Sequence, residues 1–305
     1  MLNSAAARTS FRDQGVVRGR ARERGRAVAP GLPRLYSWDA TGTNPITPKA
    51  GAVPINRPDG SGPGFTALIS TTVSTLDFAR SSRTVAPGDP KPYSFVPFAK
   101  DAVTWSAEAG GHAPANLTTA QLKAVYECTV TNWLQIDPSL ANATVKPYLP
   151  QSTSDTRVAF LKALGGGTAI APGACVTSGP RNDRGTDPVL DDIDAVFPYS
   201  VGVCIDQVHR GHGTAVESPG PLTLRSINTI APVDAAQNIN APFLATPYGR
   251  LLWHIFRSAE YTGADAHGVA LRSVFGPQGW ICAHPAVIVA YGFVPIANCG
   301  SITNT

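Results

Sequence analysis

From Pro33 onward, apolar and polar residues alternate in short runs that predict strands interleaved with helices. RLYSWDA (34–40), STLDFAR (74–80), YSFVPFA (93–99) and DAVTWSA (101–107) read as strands, and PGFTALIS (63–70) as a short helix after a Gly/Ser turn. LTTAQLKAVYECTV (117–130) is the clearest helix. Thr118 and Gln121 have capping-box spacing, Leu117 can staple onto Leu122, and Leu122, Val125, Tyr126 and Thr129 share one face. ATVKPYLP (143–150) is a strand, and RVAFLKALG (157–165) a helix stopped by Gly165 to Gly167. Residues 166–195 read as loop, and FPYSVGVCIDQV (197–208) and LTLRSIN (222–228) as strands. PYGRLLWHIFRSAEY (247–261) reads as an amphipathic helix, and WICAHPAVIVAYGF (280–293) contains a helix starting at Pro285. The alternation implies an α/β fold with mostly parallel sheets, in which ligands gather at loops after strand ends.

Composition narrows this picture. Hydrophobic content of 43% and charged content of 15% describe a soluble globular chain of 305 residues. No apolar run approaches the roughly 18 residues of a membrane span; the longest, Ala286 to Ala297, is broken by Gly292 and Pro295. The net charge of +4 is local, because residues 1–34 hold eight arginines against Asp13 and Glu23. Without them 17 basic residues face 19 acidic ones, so the body is slightly acidic and nucleic acid is not an expected partner. Residues 1–32 are expected to be a disordered Arg-rich head or sequence upstream of the true start. A phosphate-touching arm is the alternative, and the apolar stretch of a recognisable secretory signal does not follow the charges.

Cys128, Cys175, Cys204, Cys282 and Cys299 lack C-x-x-C spacing, which argues against a zinc site. Two disulfides and one leftover thiol would suit an exported protein; five free thiols in a cytosolic one is the alternative. Cys204 lies in an apolar, strand-like run and is the natural leftover.

Candidate chemistry sits in three loops. PQSTSDTRVAF (150–160) places Ser152, Thr153, Ser154 and Thr156 at a helix start, where backbone N–H groups and hydroxyls suit an anion, yet Asp155 sits among them. DGSGPGFTALI (59–69) is a second such start, with Gly60 and Gly62 allowing close approach and Ser61 able to donate. DFARSSR (77–83) ends a strand with two guanidinium groups, Arg80 and Arg83, beside Ser81 and Ser82. His209 and His212, the acidic run Asp187, Asp191, Asp192 and Asp194, and the five dispersed tryptophans read as a solvated loop, a helix start and packing residues respectively. No metal or cofactor is expected.

The stretches RPDGSGPGFTALI, LDFARSSR, NLTTAQLKAVYECTVTNW and LPQSTSDTRVAFLKAL, in that order, resemble the phosphate-binding proteins of ABC importers, a branch of the type II periplasmic solute-binding proteins. The third stretch is the most specific match. The resemblance covers about Pro33 to Cys299. It implies a two-lobed type II periplasmic binding protein fold with a hinge cleft: residues 33–98 and 209–305 in lobe 1, residues 99–208 in lobe 2. Ser61 matches the serine of the family's first-lobe glycine-rich loop, and Ser154 and Thr156 match its Ser-Gly-Thr loop.

Three features depart from the pattern. The family's opening strand and first phosphate loop have no counterpart before RLYSWDA. Ser82 stands where the family has the Asp that accepts the proton of monohydrogen phosphate. Asp155 replaces the central glycine, and Pro150 stands at the position of the expected Arg, leaving Arg157 as the nearby cation that could neutralise Asp155.

The ligand set implied is therefore Ser61, Arg80, Ser82, Ser154, Asp155, Thr156 and Arg157, around a small phosphate-like anion. Cys128–Cys175 and Cys282–Cys299 are the expected disulfides, since each encloses a segment that leaves and returns to one lobe. The function implied is non-enzymatic capture of phosphate or a related oxyanion by a secreted, cell-surface or periplasmic monomer serving an ABC permease. The alternatives are a phosphatase-like or hydrolase-like exoenzyme on the same scaffold and a structural exoprotein without ligand.

Overall fold

Thr118 caps a helix as its spacing predicts: its Oγ1 accepts from Gln121 N at 3.2 Å while Gln121 Oε1 accepts from Thr118 N at 2.8 Å. The computed structural model describes residues 44–304 apart from residue 87, so the Arg-rich head, the strand expected at 34–40 and Trp38 lie outside the described residues. The elements begin with α1 Ser61–Ser70, β1 Ala79–Ser81, β2 Tyr93–Glu108, β3 Asn116–Leu117, α2 Thr119–Tyr126, β4 Lys146–Leu149, α3 Asp155–Leu164 and β5 Thr177–Ser178. There follow β6 Ala195–Ser200, α4 Val201–His209, β7 Leu222–Leu224, β8 Ser226–Ile227, α5 Ala241–Leu244 and β9 Gly249–Arg257. The last are α6 Ser258–Thr262, α7 Ala266–Phe275, α8 Trp280–Ala283, α9 Pro285–Ala290, β10 Val294–Pro295 and β11 Thr303–Asn304. None of the helices among the described residues is long and apolar enough to cross a membrane.

The chain forms two compact units. Among the described residues the first holds 44–99, 251–288 and 295–304, and the second holds 100–250 and 289–294. Residues 209–250, expected in the first lobe, belong to the second unit. Strand pairing puts them there: β7 is antiparallel to β2 through Ala107↔Thr223, and β8 is parallel to β3 through Asn116↔Ser226.

In the first unit β1 is antiparallel to β9 through Arg80↔His254, and Thr303 of β11 pairs with Phe95 of β2. The segment 247–261 is here mainly a strand, not the expected helix. Trp253 and Ile255 pack with Phe65, Leu68 and Phe95 in one core. His254 and Phe256 enter an aromatic cluster with Phe78 and Phe275. Two separate apolar surroundings need side chains pointing alternately to opposite faces, which a strand supplies and a helix does not. Only the last turn, α6, is helical.

In the second unit β6 runs antiparallel to β2 through Val103↔Ser200 and parallel to β4 through Lys146↔Ala195; β5 then pairs parallel with β4 through Tyr148↔Thr177. Parallel pairing at β3–β8, β6–β4 and β4–β5 stands beside antiparallel pairing at β1–β9, β2–β6, β2–β7 and β2–β11, so the strands are mixed instead of mostly parallel. Tyr126 of α2 and Phe160 of α3 enter one core with Trp133, and all three are fully buried.

The run 197–208 also divides. Its strand ends at Ser200, whose Oγ accepts from Val203 N at 3.1 Å and caps α4. An unbroken apolar run signals burial on every side, which a core helix and a core strand share. Gly202 has no room for a side chain, since a Cβ would stand 2.5 Å from the Phe293 ring.

The disulfides are Cys128–Cys175 and Cys282–Cys299, as expected, and Cys204 is a buried free thiol, on α4 instead of a strand.

Candidate functional site

Strand β4 leads into the loop 150–154. There Ser154 N donates to Gln151 O at 3.0 Å, folding the loop back, and the Ser154 side chain caps α3 by accepting from Arg157 N at 3.4 Å. Ser154 and Thr156 are fully buried, and Asp155 is buried beside them. Ser154 and the first turn of α3 therefore gather two hydroxyls and one carboxylate at the positive end of the helix dipole, within three residues.

A cation reaches this turn from a distant part of the chain. Arg250, at the start of β9, donates from Nη2 to Thr156 Oγ1 at 3.2 Å. Its position is set by Asp101 on β2, whose Oδ2 accepts from Arg250 Nε at 3.0 Å and Nη2 at 2.8 Å. Asp101 is itself fully buried and also accepts from Ser200 Oγ at 2.8 Å and Gly202 N at 2.9 Å. One carboxylate thus joins the guanidinium beside α3 to the cap of α4, and these bonds are what make a buried ion pair tenable.

Sequence reasoning missed both residues for identifiable reasons. Asp101 is a carboxylate inside the apolar stretch DAVTWSA, and a charge in a buried strand is itself a signal. Arg250 was hidden by the helical reading of 247–261.

Arg157, the nearby cation that the sequence offers to Asp155, makes other contacts. Its Nη1 donates to Pro150 O at 3.0 Å and Ser178 Oγ at 2.7 Å, so among the described residues its guanidinium is committed to the loop's flank. Burial lowers its pKa from the ordinary arginine value.

In the first unit, the start of α1 and the end of β1 meet. Gly60 has φ +111°, a conformation that favours glycine, and it sets Ser61 at the head of α1. Ser61 Oγ accepts from Ser82 N at 3.1 Å, and both residues are buried. Arg80 is buried one strand position away from Ser81, with its guanidinium 5.7 Å from the Phe98 ring centroid. Arg83, which the sequence sets beside Arg80 as a second guanidinium, makes a two-pronged ion pair with Asp89, Nη1 to Oδ2 at 3.0 Å and Nη2 to Oδ1 at 2.8 Å. The structure thus brings Ser61 next to Ser82, and Ser154 and Asp155 next to Thr156.

A family model described as a PBP superfamily domain matches residues 47–248, more than half of the chain. The chain belongs to the PBP superfamily. Solved structures with this fold include an ABC-type phosphate transport receptor from Vibrio cholerae, with TM-score 0.53 and 16% identity over 78% of this chain and 86% of that one. A protein from Clostridium perfringens assigned as a phosphate ABC transporter substrate-binding protein, solved with bound phosphate, matches with TM-score 0.56 and 14% identity over 78% and 84%. A high-affinity periplasmic phosphate-binding protein solved with phosphate, PfluDING, matches with TM-score 0.53 and 14% identity over 78% and 82%. Comparison with curated proteins returns no match. At such identities the likeness is one of fold. The PBP-superfamily match spans α1, β1 and α3, the elements that carry the candidate residues.

The other sequence candidates have structural partners. Asp187 caps the short 3-10 turn Pro188–Leu190, and Asp194 accepts from Trp133 Nε1 at 2.8 Å and from His112. His212 pairs with Asp206 and stacks on Tyr291.

Proposed function

We propose that this PBP-superfamily chain is an exported solute-binding protein. In this reading it captures phosphate or a related tetrahedral oxyanion, leaves it chemically unchanged and delivers it to the membrane permease of an ABC importer. The observation that carries the reading is the first turn of α3. Buried hydroxyls on Ser154 and Thr156 sit at the positive end of the α3 dipole, and the Arg250 guanidinium is already on Thr156 Oγ1 at 3.2 Å. Arg250 is the cation we assign to this site, with Arg157 bracing its loop. Asp155 moderates the positive character of the turn. Ser61, Ser82 and Arg80 are the ligand residues assigned in the first unit. The named ligand of the solved relatives is phosphate, and two disulfides suit an oxidising compartment outside the cytoplasm.

The test is calorimetry of the full chain with inorganic phosphate. Saturable one-to-one binding, weakened about tenfold or more by Thr156→Val, is expected, since a lost charge-assisted contact is worth about 1.5–3 kcal/mol. Absence of binding by the wild-type chain overturns the reading. Turnover of a chromogenic phosphate ester would instead make the protein an enzyme.

A further inference from the structure

The loop 178–184 is fastened to the start of α3 along its length. Gly179 N donates to Leu149 O at 3.2 Å, Gln151 N to Pro180 O at 3.1 Å and Arg157 Nη1 to Ser178 Oγ at 2.7 Å. The contact nearest the helix end is Ser154 Oγ to Asn182 Oδ1, at 3.3 Å. Asn182 is fully buried, and its Nδ2 has no hydrogen-bond partner among the described residues.

The orientation of this amide follows from its neighbour. Ser154 Oγ accepts from Arg157 N, so its own hydrogen is left to donate, and Oδ1 of Asn182 is the acceptor it meets. The NH2 group is then the end left over. The loop is also held from behind: Tyr199 OH donates to Gln207 Oε1 at 2.7 Å, and Gln207 Nε2 donates to the Asp183 carbonyl at 2.9 Å. A buried N–H without a partner is destabilising, and native proteins rarely keep one without a use. Here the orphan donor stands in a fixed loop against the cap of the helix whose first turn carries Ser154 and Thr156.

We propose that Asn182 is a ligand-contacting residue, and that its Nδ2–H donates to the oxyanion bound at the start of α3. This rests on the oxyanion-capture reading above. It adds a neutral, directional donor, oriented by the Ser154 hydroxyl, to the Thr156 hydroxyl and the charge of Arg250. The site then reads an acceptor oxygen on its Asn182 side, because a carboxamide NH2 can donate and cannot accept.

The experiment uses the full chain and inorganic phosphate. Side-chain amide resonances of Asn182, assigned in the wild-type chain through their connection to its backbone, are followed through a phosphate titration alongside calorimetry. The expected result is a saturable shift of that NH2 pair at the calorimetric Kd, with affinity about tenfold weaker in Asn182→Ala. Asn182→Asp keeps the acceptor for Ser154 and replaces the donor with an anionic oxygen, so its affinity should fall about a hundredfold or more. Wild-type binding with an unmoved Asn182 amide, or with equal affinity in folded Asn182→Ala and Asn182→Asp, overturns this inference and leaves the capture reading standing. No phosphate binding by the wild type overturns both. If the variants fail to fold, the wild-type amide titration alone decides.

Discussion

Arg250 and Asp101 are 149 residues apart in sequence, yet Nε and Nη2 of the arginine both close on one carboxylate oxygen, at 3.0 and 2.8 Å. Both side chains are buried. The pair connects the β2–β9 region of the second unit to the starts of two helices, through Thr156 on α3 and through Ser200 and Gly202 on α4.

Removing one partner strands the other charge in a dry environment. Asp101→Ala should therefore lower stability by about 3–5 kcal/mol in guanidinium unfolding. The double variant Asp101→Ala/Arg250→Met should lose clearly less than the two single losses added together, because it leaves no unpaired charge. Strict additivity would show that the two residues act independently.

Asp155 presents a carboxylate to the end of α3 that an anion would also use, while Ser154 already provides the cap. Asp155→Gly should raise phosphate affinity about tenfold by removing a like charge from the turn. It should also lower stability by about 1 kcal/mol, through the lost dipole interaction and the greater backbone freedom of glycine. Calorimetry and thermal unfolding read the two effects separately. Lost stability with unchanged affinity would assign Asp155 to the helix alone.

His254 is enclosed by Phe78, Phe98, Phe256 and Phe275. Burial first, and the charge of Arg80 second, hold its pKa well below the ordinary histidine value. The unfolded chain, with a normal histidine near 6.5, then takes up a proton that the folded chain refuses. Stability is complete above about pH 6.5 and falls as pH drops, with a slope approaching about 1.4 kcal/mol per pH unit for this one group. Urea unfolding from pH 7 to 5 should show the loss, and His254→Phe should flatten it. An equal slope in the variant would place the proton uptake elsewhere.

Burial raises the Cys204 thiol to about 12. The native chain should be inert to aromatic disulfide reagents at pH 8, and one thiol per chain should react in guanidinium without reductant. Three or more reactive thiols would mean that a disulfide is missing.

Local signals in the chain were enough for several elements. The Thr118/Gln121 capping box, the helix after Ser154 ended by Gly165, and the two disulfides with Cys204 left over all stand where the residues and the family resemblance put them. The four stretches RPDGSGPGFTALI, LDFARSSR, NLTTAQLKAVYECTVTNW and LPQSTSDTRVAFLKAL, in that order, were enough for the PBP family. These features depend on neighbours a few residues apart or on motif order, which a one-dimensional reading contains.

The tertiary structure decided what depends on distant surroundings. The stretch 247–261 is a strand because its alternate residues are buried in two different cores, and 197–208 turns helical at Ser200 because a carboxylate from residue 101 meets the new helix end. The cation that donates to Thr156 Oγ1 is Arg250, and the acceptor that Ser154 Oγ meets is the Asn182 amide oxygen. None of these pairings leaves a mark in local spacing. Apolar periodicity records that a side chain is buried, whereas which charge or amide it meets is set by the long-range packing of strands and helices.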